Sequence, residues 1–198
     1  MKRIFDFVMS LIAIILFSPV ILIVALVVKF TSPGPILFKQ RRIGKDNVEF
    51  YIYKFRTMRI DTPNVPTHLL EKPEQWITPI GRFLRKTSLD ELPQLFNILK
   101  GDMSIVGPRP ALYNQLDLKE MRTKVGVHRI VPGLTGWAQI NGRDEIPLSL
   151  KVNLDEEYLE RMSFFFDIKI IIMTVLSVLK SDGVQEGKAE NNNEELRA

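Results

Sequence analysis

The sequence predicts an α+β fold: a small, mostly helical domain with one short β-hairpin, carried on an N-terminal membrane element. Three observations lead there. Phe7–Val28 is apolar almost without interruption, two strand-like runs flank Gly44-Lys45-Asp46-Asn47, and helix-start and helix-stop signals bracket much of Lys86–Pro110. A chain of 198 residues supports one domain with a real core plus an appendage. The expected division is a membrane element over 1–31, a cytosolic domain over 32–185, and a polar, disordered tail over 186–198.

The first element is about 22 apolar residues long, enough for one helix to cross a bilayer. No small-residue cleavage site follows it, so it is not a secretory signal. Ser18-Pro19 interrupts it near the middle: proline removes a backbone donor, and Ser18 can bond back to the freed carbonyl. Each half then spans roughly 15 Å, about half a hydrocarbon core. Lys2 and Arg3 precede the run, and Lys29, Lys39, Arg41 and Arg42 follow it. Positive charge on both flanks favours keeping both ends on the cytoplasmic side. A proline-kinked span and a helix-break-helix that enters and leaves one leaflet both fit.

Thr31-Ser32-Pro33-Gly34-Pro35 closes this element. Ile36–Gln40 and Phe50–Arg56 form the hairpin, with Lys54 and Arg56 on one strand face. Such a pair is either a solvated face or a basic ridge beside a phosphate site. Asp61–Pro79 carries Pro63, Pro66, Pro73 and Pro79 and reads as an irregular loop. Thr87 and Ser88 are N-cap residues, and Ser88-x-x-Glu91 reads as a capping box. Leu92, Leu95, Phe96 and Leu99 mark one helical face, and Gly101 a stop. Pro93 conflicts with a helix begun at Ser88. Either the helix starts near Pro93, or Asp90 sits on a distorted turn. Leu112–Lys124 and Leu150–Arg161 are expected as helices, Val131–Trp137 and its continuation to Arg143 as turn-rich loop. Ser163–Lys180 is expected as an interfacial or core-buried amphipathic helix.

Composition excludes several chemistries. Without cysteine there is no disulfide frame, thiolate metal site or thiol nucleophile. His68 and His128 stand in no partner pattern and are assigned to neither metal nor catalysis. A formal charge of +4, with no recognised module and no aromatic-interleaved basic stripe, argues against nucleic acid. The flanking basic residues suit an anionic membrane surface or an anionic substrate.

The neighbouring carboxylates Asp90 and Glu91 have two readings. They suit the positive end of a helix, or they divide labour, one attacking while the other holds a hard cation such as Mg²⁺. Arg85 and Arg109 then offset a diphosphate's charge through charge-assisted contacts. Pro108 and Pro110 restrict the backbone around Arg109.

The ordered set of motifs resembles the bacterial sugar transferase family of monotopic polyprenol-phosphate phosphoglycosyl transferases, in its small single-domain form. The residues that carry it are the apolar segment with Ser18-Pro19, Ser32–Pro35, Tyr53–Met58, Thr87–Gln94, Lys100–Pro110 and Pro132–Arg143, running through about residue 182. The resemblance implies transfer of a sugar 1-phosphate from a UDP-sugar, expected to be N-acetylated, to undecaprenyl phosphate, with release of UMP and initiation of a membrane-associated glycan. It implies Asp90 as nucleophile in a covalent phosphosugar-aspartyl intermediate and Glu91 as the Mg²⁺-binding acid, with Asp90 nearby. It further implies Arg85, Arg109 and Lys54 at substrate phosphate, Arg143 near the nucleotide, and Asp167 as a further acidic position. Ser18-Pro19 resembles the break of a re-entrant helix, which implies a monotopic protein on the cytoplasmic face of the bacterial inner membrane. A second copy of the chain or downstream glycosyltransferases remain open as protein partners.

Overall fold

The computed structural model describes residues 1–63, 72–142 and 146–180; the tail over 186–198 lies outside them. Helix α1, Lys2–Thr31, is one 30-residue helix with Pro19 inside it. The expected separation into two helices at Ser18-Pro19 does not occur. Pro19 cannot donate to the Ile15 carbonyl, and the Ser18 hydroxyl donates to that oxygen instead, at 2.8 Å. The helical ladder therefore continues without an orphaned acceptor at the proline.

Asp6, Ser10, Val24 and Val28 are buried, and Ala13, Ile14, Val20, Ile21 and Ala25 pack against the core. At 100° per residue these positions fall on one stripe, which passes Pro19 without changing sides. From Asp6 to Val28 that stripe is about 33 Å long at 1.5 Å per residue. The opposite face exposes Ile4, Leu11, Ile15, Leu16, Leu22, Ile23 and Phe30.

Strands β1, Leu37–Ile43, and β2, Glu49–Phe55, pair antiparallel with Leu37 opposite Phe55 and Ile43 opposite Glu49. Their turn places Asp46 and Asn47 at φ 53° and 62°, where Asp and Asn are tolerated. Helix α2, Pro79–Lys86, opens on Thr78, whose side chain accepts from the Gly81 amide. Helix α3, Gln94–Lys100, ends at Gly101, φ 99°. Strand β3, Ser104–Val106, pairs parallel with β4, Gly133–Thr135. Three-residue strands carry too little alternation to be seen in sequence, so β4 lies inside the expected turn-rich loop. The remaining helices are α4 (Leu116–Lys124), α5 (Trp137–Ile140), α6 (Leu148–Arg161) and α7 (Phe164–Lys180).

Val24 and Val28 of α1 pack with Phe55 and Leu84, and Ile52 packs with Leu95, Ile98 and Met103. Val106, Tyr158, Phe166 and Ile170 form a third cluster. Helix α7 thus buries Phe166 and Ile170 while Phe165, Ile172, Val175 and Leu176 stay exposed, the amphipathic division expected of it.

Charged groups tie the start of α1 to this core. The buried Asp6 carboxylate accepts from Ser104 Oγ at 2.8 Å and the Ile105 amide at 3.1 Å. Arg3 donates to the carbonyls of Ile98 and Leu99, the open end of α3. Lys2 pairs with Asp167 at 2.5 Å. At the other end of α1, Arg56 Nη2 donates to the Ser32 carbonyl at 2.6 Å.

Candidate active site

Asp90 and Glu91 do not sit on the first turn of a regular helix. Ser88 adopts φ 56°, its side chain makes no cap, and Leu89–Glu91 form a single 3₁₀ turn before Pro93 caps α3. The expected capping box is therefore absent, because the Glu91 side chain is turned to cations elsewhere. Both ways around Pro93 hold at once: the helix starts after it, and Asp90 rides a tight turn.

Glu91 Oε1 accepts from Lys54 Nζ at 2.7 Å and from Arg109 Nη2 at 3.0 Å. Burial pushes the Glu91 carboxyl up, but Lys54 and Arg109 outweigh it and hold the group well below the usual carboxylate range. Asp90 has the opposite balance. Its side chain is buried, and desolvation raises its pKa to about 6 against the pull of Lys54, Arg85 and Arg109, with Glu91 adding to the rise. No hydrogen bond from the described residues restrains its carboxylate. The two adjacent acids thus sit in opposite balances: two cations favour the Glu91 anion, whereas burial disfavours the Asp90 anion.

Each cation has its own support. Lys54 leaves β2 one residue before its end, and Asn97 of α3 fixes that strand by accepting from the Tyr53 amide at 3.1 Å and donating to the Tyr51 carbonyl at 2.7 Å. Asn97 is fully buried and completes the open edge of β2 as a neighbouring strand would. Arg85 Nε donates to Thr57 Oγ1 at 3.0 Å. Arg109 is held through its backbone: Arg122 Nη1 donates to the Arg109 carbonyl at 2.8 Å and Arg42 Nη1 to the Pro110 carbonyl at 3.0 Å. The buried Asp155 carboxylate in turn takes Arg122 Nε at 3.0 Å and Nη2 at 2.6 Å.

The approach to Arg109 is equally constrained. The Gly107 amide donates to the Thr135 carbonyl at 2.9 Å and the Gly133 amide to the Pro108 carbonyl at 2.9 Å. A Cβ on Gly133 would lie 2.1 Å from the Gly107 nitrogen, so this crossing requires glycine.

The expected residues Asp90, Glu91, Lys54, Arg85 and Arg109 therefore form one electrostatic cluster. Asp167 takes a different place: its carboxylate pairs with Lys2 and accepts from the Tyr158 hydroxyl at 2.7 Å. It anchors α1 through these contacts. Arg143 lies outside the described residues, as does His68. Arg56 shares strand parity with Lys54 but turns to Ser32, so the two form neither a solvated face nor a shared ridge. Sequence reasoning missed Asn97, Arg122 and Asp155. Asn97 gave no local signal: it falls opposite the face marked by Leu92, Leu95, Phe96 and Leu99, yet the structure buries Asn97 and leaves Phe96 exposed. Arg122 and Asp155 meet across α4 and α6 without any local pattern.

The model of the family described as bacterial sugar transferase matches residues 1–181. The chain belongs to that family. It is 44% identical over 189 residues to the uncharacterized sugar transferase EpsL of Bacillus subtilis (strain 168), covering 94% of this chain and 91% of the relative. It is 42% identical over 183 residues to the UDP-glucose:undecaprenyl-phosphate glucose-1-phosphate transferase of Escherichia coli (strain K12), covering 88% of this chain. With the UDP-N-acetylgalactosamine-undecaprenyl-phosphate N-acetylgalactosaminephosphotransferase of Aeromonas hydrophila it shares 37% over 190 residues, 93% of this chain. The match covers only 39% and 45% of those last two relatives, so this bacterial sugar transferase corresponds to part of their length.

Proposed function

We propose that this bacterial sugar transferase moves a sugar 1-phosphate from a UDP-sugar to undecaprenyl phosphate in two steps and so initiates a membrane-associated glycan. In the first, an Asp90 carboxylate oxygen bonds to the β-phosphorus while the bond from that phosphorus to the bridging oxygen breaks. UMP leaves with the bridging oxygen. In the second, an oxygen of the lipid phosphate bonds to the same phosphorus and the Asp90 carboxylate is expelled. This is covalent catalysis that splits one bisubstrate reaction in two. The observation that carries it is the contrast between the two acids. Glu91 is fixed by Lys54 and Arg109, whereas Asp90 is buried among cations with its oxygens unrestrained.

The donor set fits Mg²⁺. Asp90 and Glu91 are neighbouring carboxylates beside two cations, and Mg²⁺ asks for only one or two carboxylates plus substrate phosphate. Glu91, with Asp90 beside it, would hold the ion. When bound, it would supply charge neutralisation at the diphosphate. Arg85 and Arg109 bind and orient the phosphates, and Lys54 keeps Glu91 ionised.

Both substrates meet at a membrane surface. The two ends of α1 rest on the same body, through Lys2, Arg3 and Asp6 at one and Ser32 at the other. A helix spanning a bilayer has ends about 30 Å apart across hydrocarbon, which this polar body does not bridge cheaply. We therefore favour a monotopic arrangement. Helix α1 lies along the cytoplasmic face of the inner membrane with its exposed apolar side chains toward lipid, and shares that lipid contact with α7 through Phe5 and Phe164, whose ring centroids are 5.4 Å apart.

Incubating the enzyme with a UDP-sugar alone tests the chemistry. UMP stoichiometric with enzyme supports the two-step route. UMP release that requires the lipid acceptor would favour a single-step transfer with Asp90 as a metal ligand. Comparing UDP-glucose with UDP-N-acetylgalactosamine in the same assay identifies the donor.

A further inference from the structure

Arg56 is the least explained charge in the described structure. It is 5% exposed. Its Nη2 donates to the Ser32 carbonyl at 2.6 Å, but its buried Nε and Nη1 have no acceptor. No carboxylate among the described residues pairs with it, and burial pulls its pKa below the usual arginine value. The negative end of α1 offsets part of this charge. A guanidinium presents five donors in a fixed fork, however, and buried donors left open cost free energy.

Its position narrows what could complete it. Ser32 follows the last residue of the apolar helix, so the guanidinium lies where lipid headgroups would meet the protein. The turn over it is minimal: a Cβ on Gly34, which has φ +115°, would fall 2.3 Å from Arg56 Nη1 and 3.1 Å from Ile60 Cδ1. Ile60, Phe30 and Leu37 nearby in the chain are exposed apolar side chains. One residue on, Thr57 supports Arg85, so the strand end joins this position to the reacting centre.

We propose that Arg56 forms a second phosphate site, which takes the phosphate head of a membrane amphiphile while the exposed apolar residues take its tail. Planar, bidentate capture of phosphate is the task to which arginine is best suited. The amphiphile is either a bilayer phospholipid or the prenyl phosphate acceptor; the second source rests on the transfer reaction proposed above.

The test uses the full chain in a phosphate-free maltoside detergent, with thermal unfolding as readout. The probes are a short-chain prenyl phosphate, the matching uncharged prenol, and a short-chain phosphatidylglycerol. Wild type is expected to gain melting temperature with phosphate-bearing probes and not with prenol. Arg56→Gln is expected to bind them at least about tenfold more weakly, the loss of one charge-assisted contact. Arg56→Lys keeps the charge without the fork and serves if Gln impairs folding; it too should bind more weakly. Response to prenyl phosphate alone assigns the site to the acceptor, and response to phosphatidylglycerol alone or to both assigns it to lipid phosphate in general. Equal responses of wild type and both variants overturn the proposal. Donor-only UMP release by the same variants should be unchanged, so a failure of the transfer reading shows separately from a failure of this site.

Discussion

Replacing the Arg122–Asp155 pair tests how Arg109 is held. Asp155→Asn strips the counter-charge from a buried guanidinium that uses two nitrogens on that carboxylate, at 3.0 and 2.6 Å. Such a break costs about 3–5 kcal/mol, enough to unfold a marginal domain. The informative variant is Arg122→Met with Asp155→Leu, because swapping a buried pair for apolar residues of similar size is often close to neutral. It also removes the donor to the Arg109 carbonyl, 2.8 Å away, and frees the loop that aims Arg109 at Glu91. A misplacement of about 1 Å can cost about a hundredfold in rate. The double variant should therefore melt within a few degrees of wild type yet lose about two orders of magnitude in turnover, measured by UMP release and circular dichroism. Full activity in a stably folded double variant would refute the clamp.

Other consequences follow from the same contacts. The Asp90 pKa of about 6 against an ordinary 3.8 means the folded state binds the proton more tightly, so stability falls as pH rises from about 4 to 6. Asp90→Asn removes that penalty, of order 3 kcal/mol; it should abolish turnover while raising the melting temperature at pH 7. Without added metal, the melting-temperature gap between Asp90→Asn and wild type should widen from about pH 4 to 6 and then level off, as Asp90 ionises. Asp6→Ala leaves Ser104 Oγ and the Ile105 amide without their acceptor and should destabilise by about 2–4 kcal/mol, read by denaturant titration. For topology, tags on the N-terminus should label from the cytoplasmic side; labelling of the native N-terminus only from the periplasm would contradict the monotopic arrangement.

Signals carried by neighbouring residues were legible in the chain. The Gly44–Asn47 turn, the Gly101 stop and the apolar run over Phe7–Val28 all have local causes, and each occurs where expected. The acid pair and the Pro-Arg-Pro segment were readable as runs of neighbouring residues, and the structure brings Arg109 Nη2 to 3.0 Å from Glu91 Oε1. What the sequence hid was long-range. Ser88 looked like a cap, but the pull of Lys54 and Arg109 on Glu91 outcompetes the amide the box would have satisfied. Asp167 looked like a site acid, and Lys2, 165 positions away, claims it. The parallel pairing of β3 and β4 depends on glycine crossings between distant segments, which no window of a few residues displays. Pro19 suggested a broken helix, and one serine hydroxyl keeps the ladder running.

A bond between Asp90 and phosphorus can be weighed directly. The enzyme is incubated with a UDP-sugar and no lipid acceptor, quenched, digested and examined by mass spectrometry. The expected product is a peptide containing Asp90 that is heavier by one sugar phosphate, a mass lost on chasing with undecaprenyl phosphate and absent from Asp90→Asn. An unmodified Asp90 in enzyme that turns over fully once the lipid is added would contradict it.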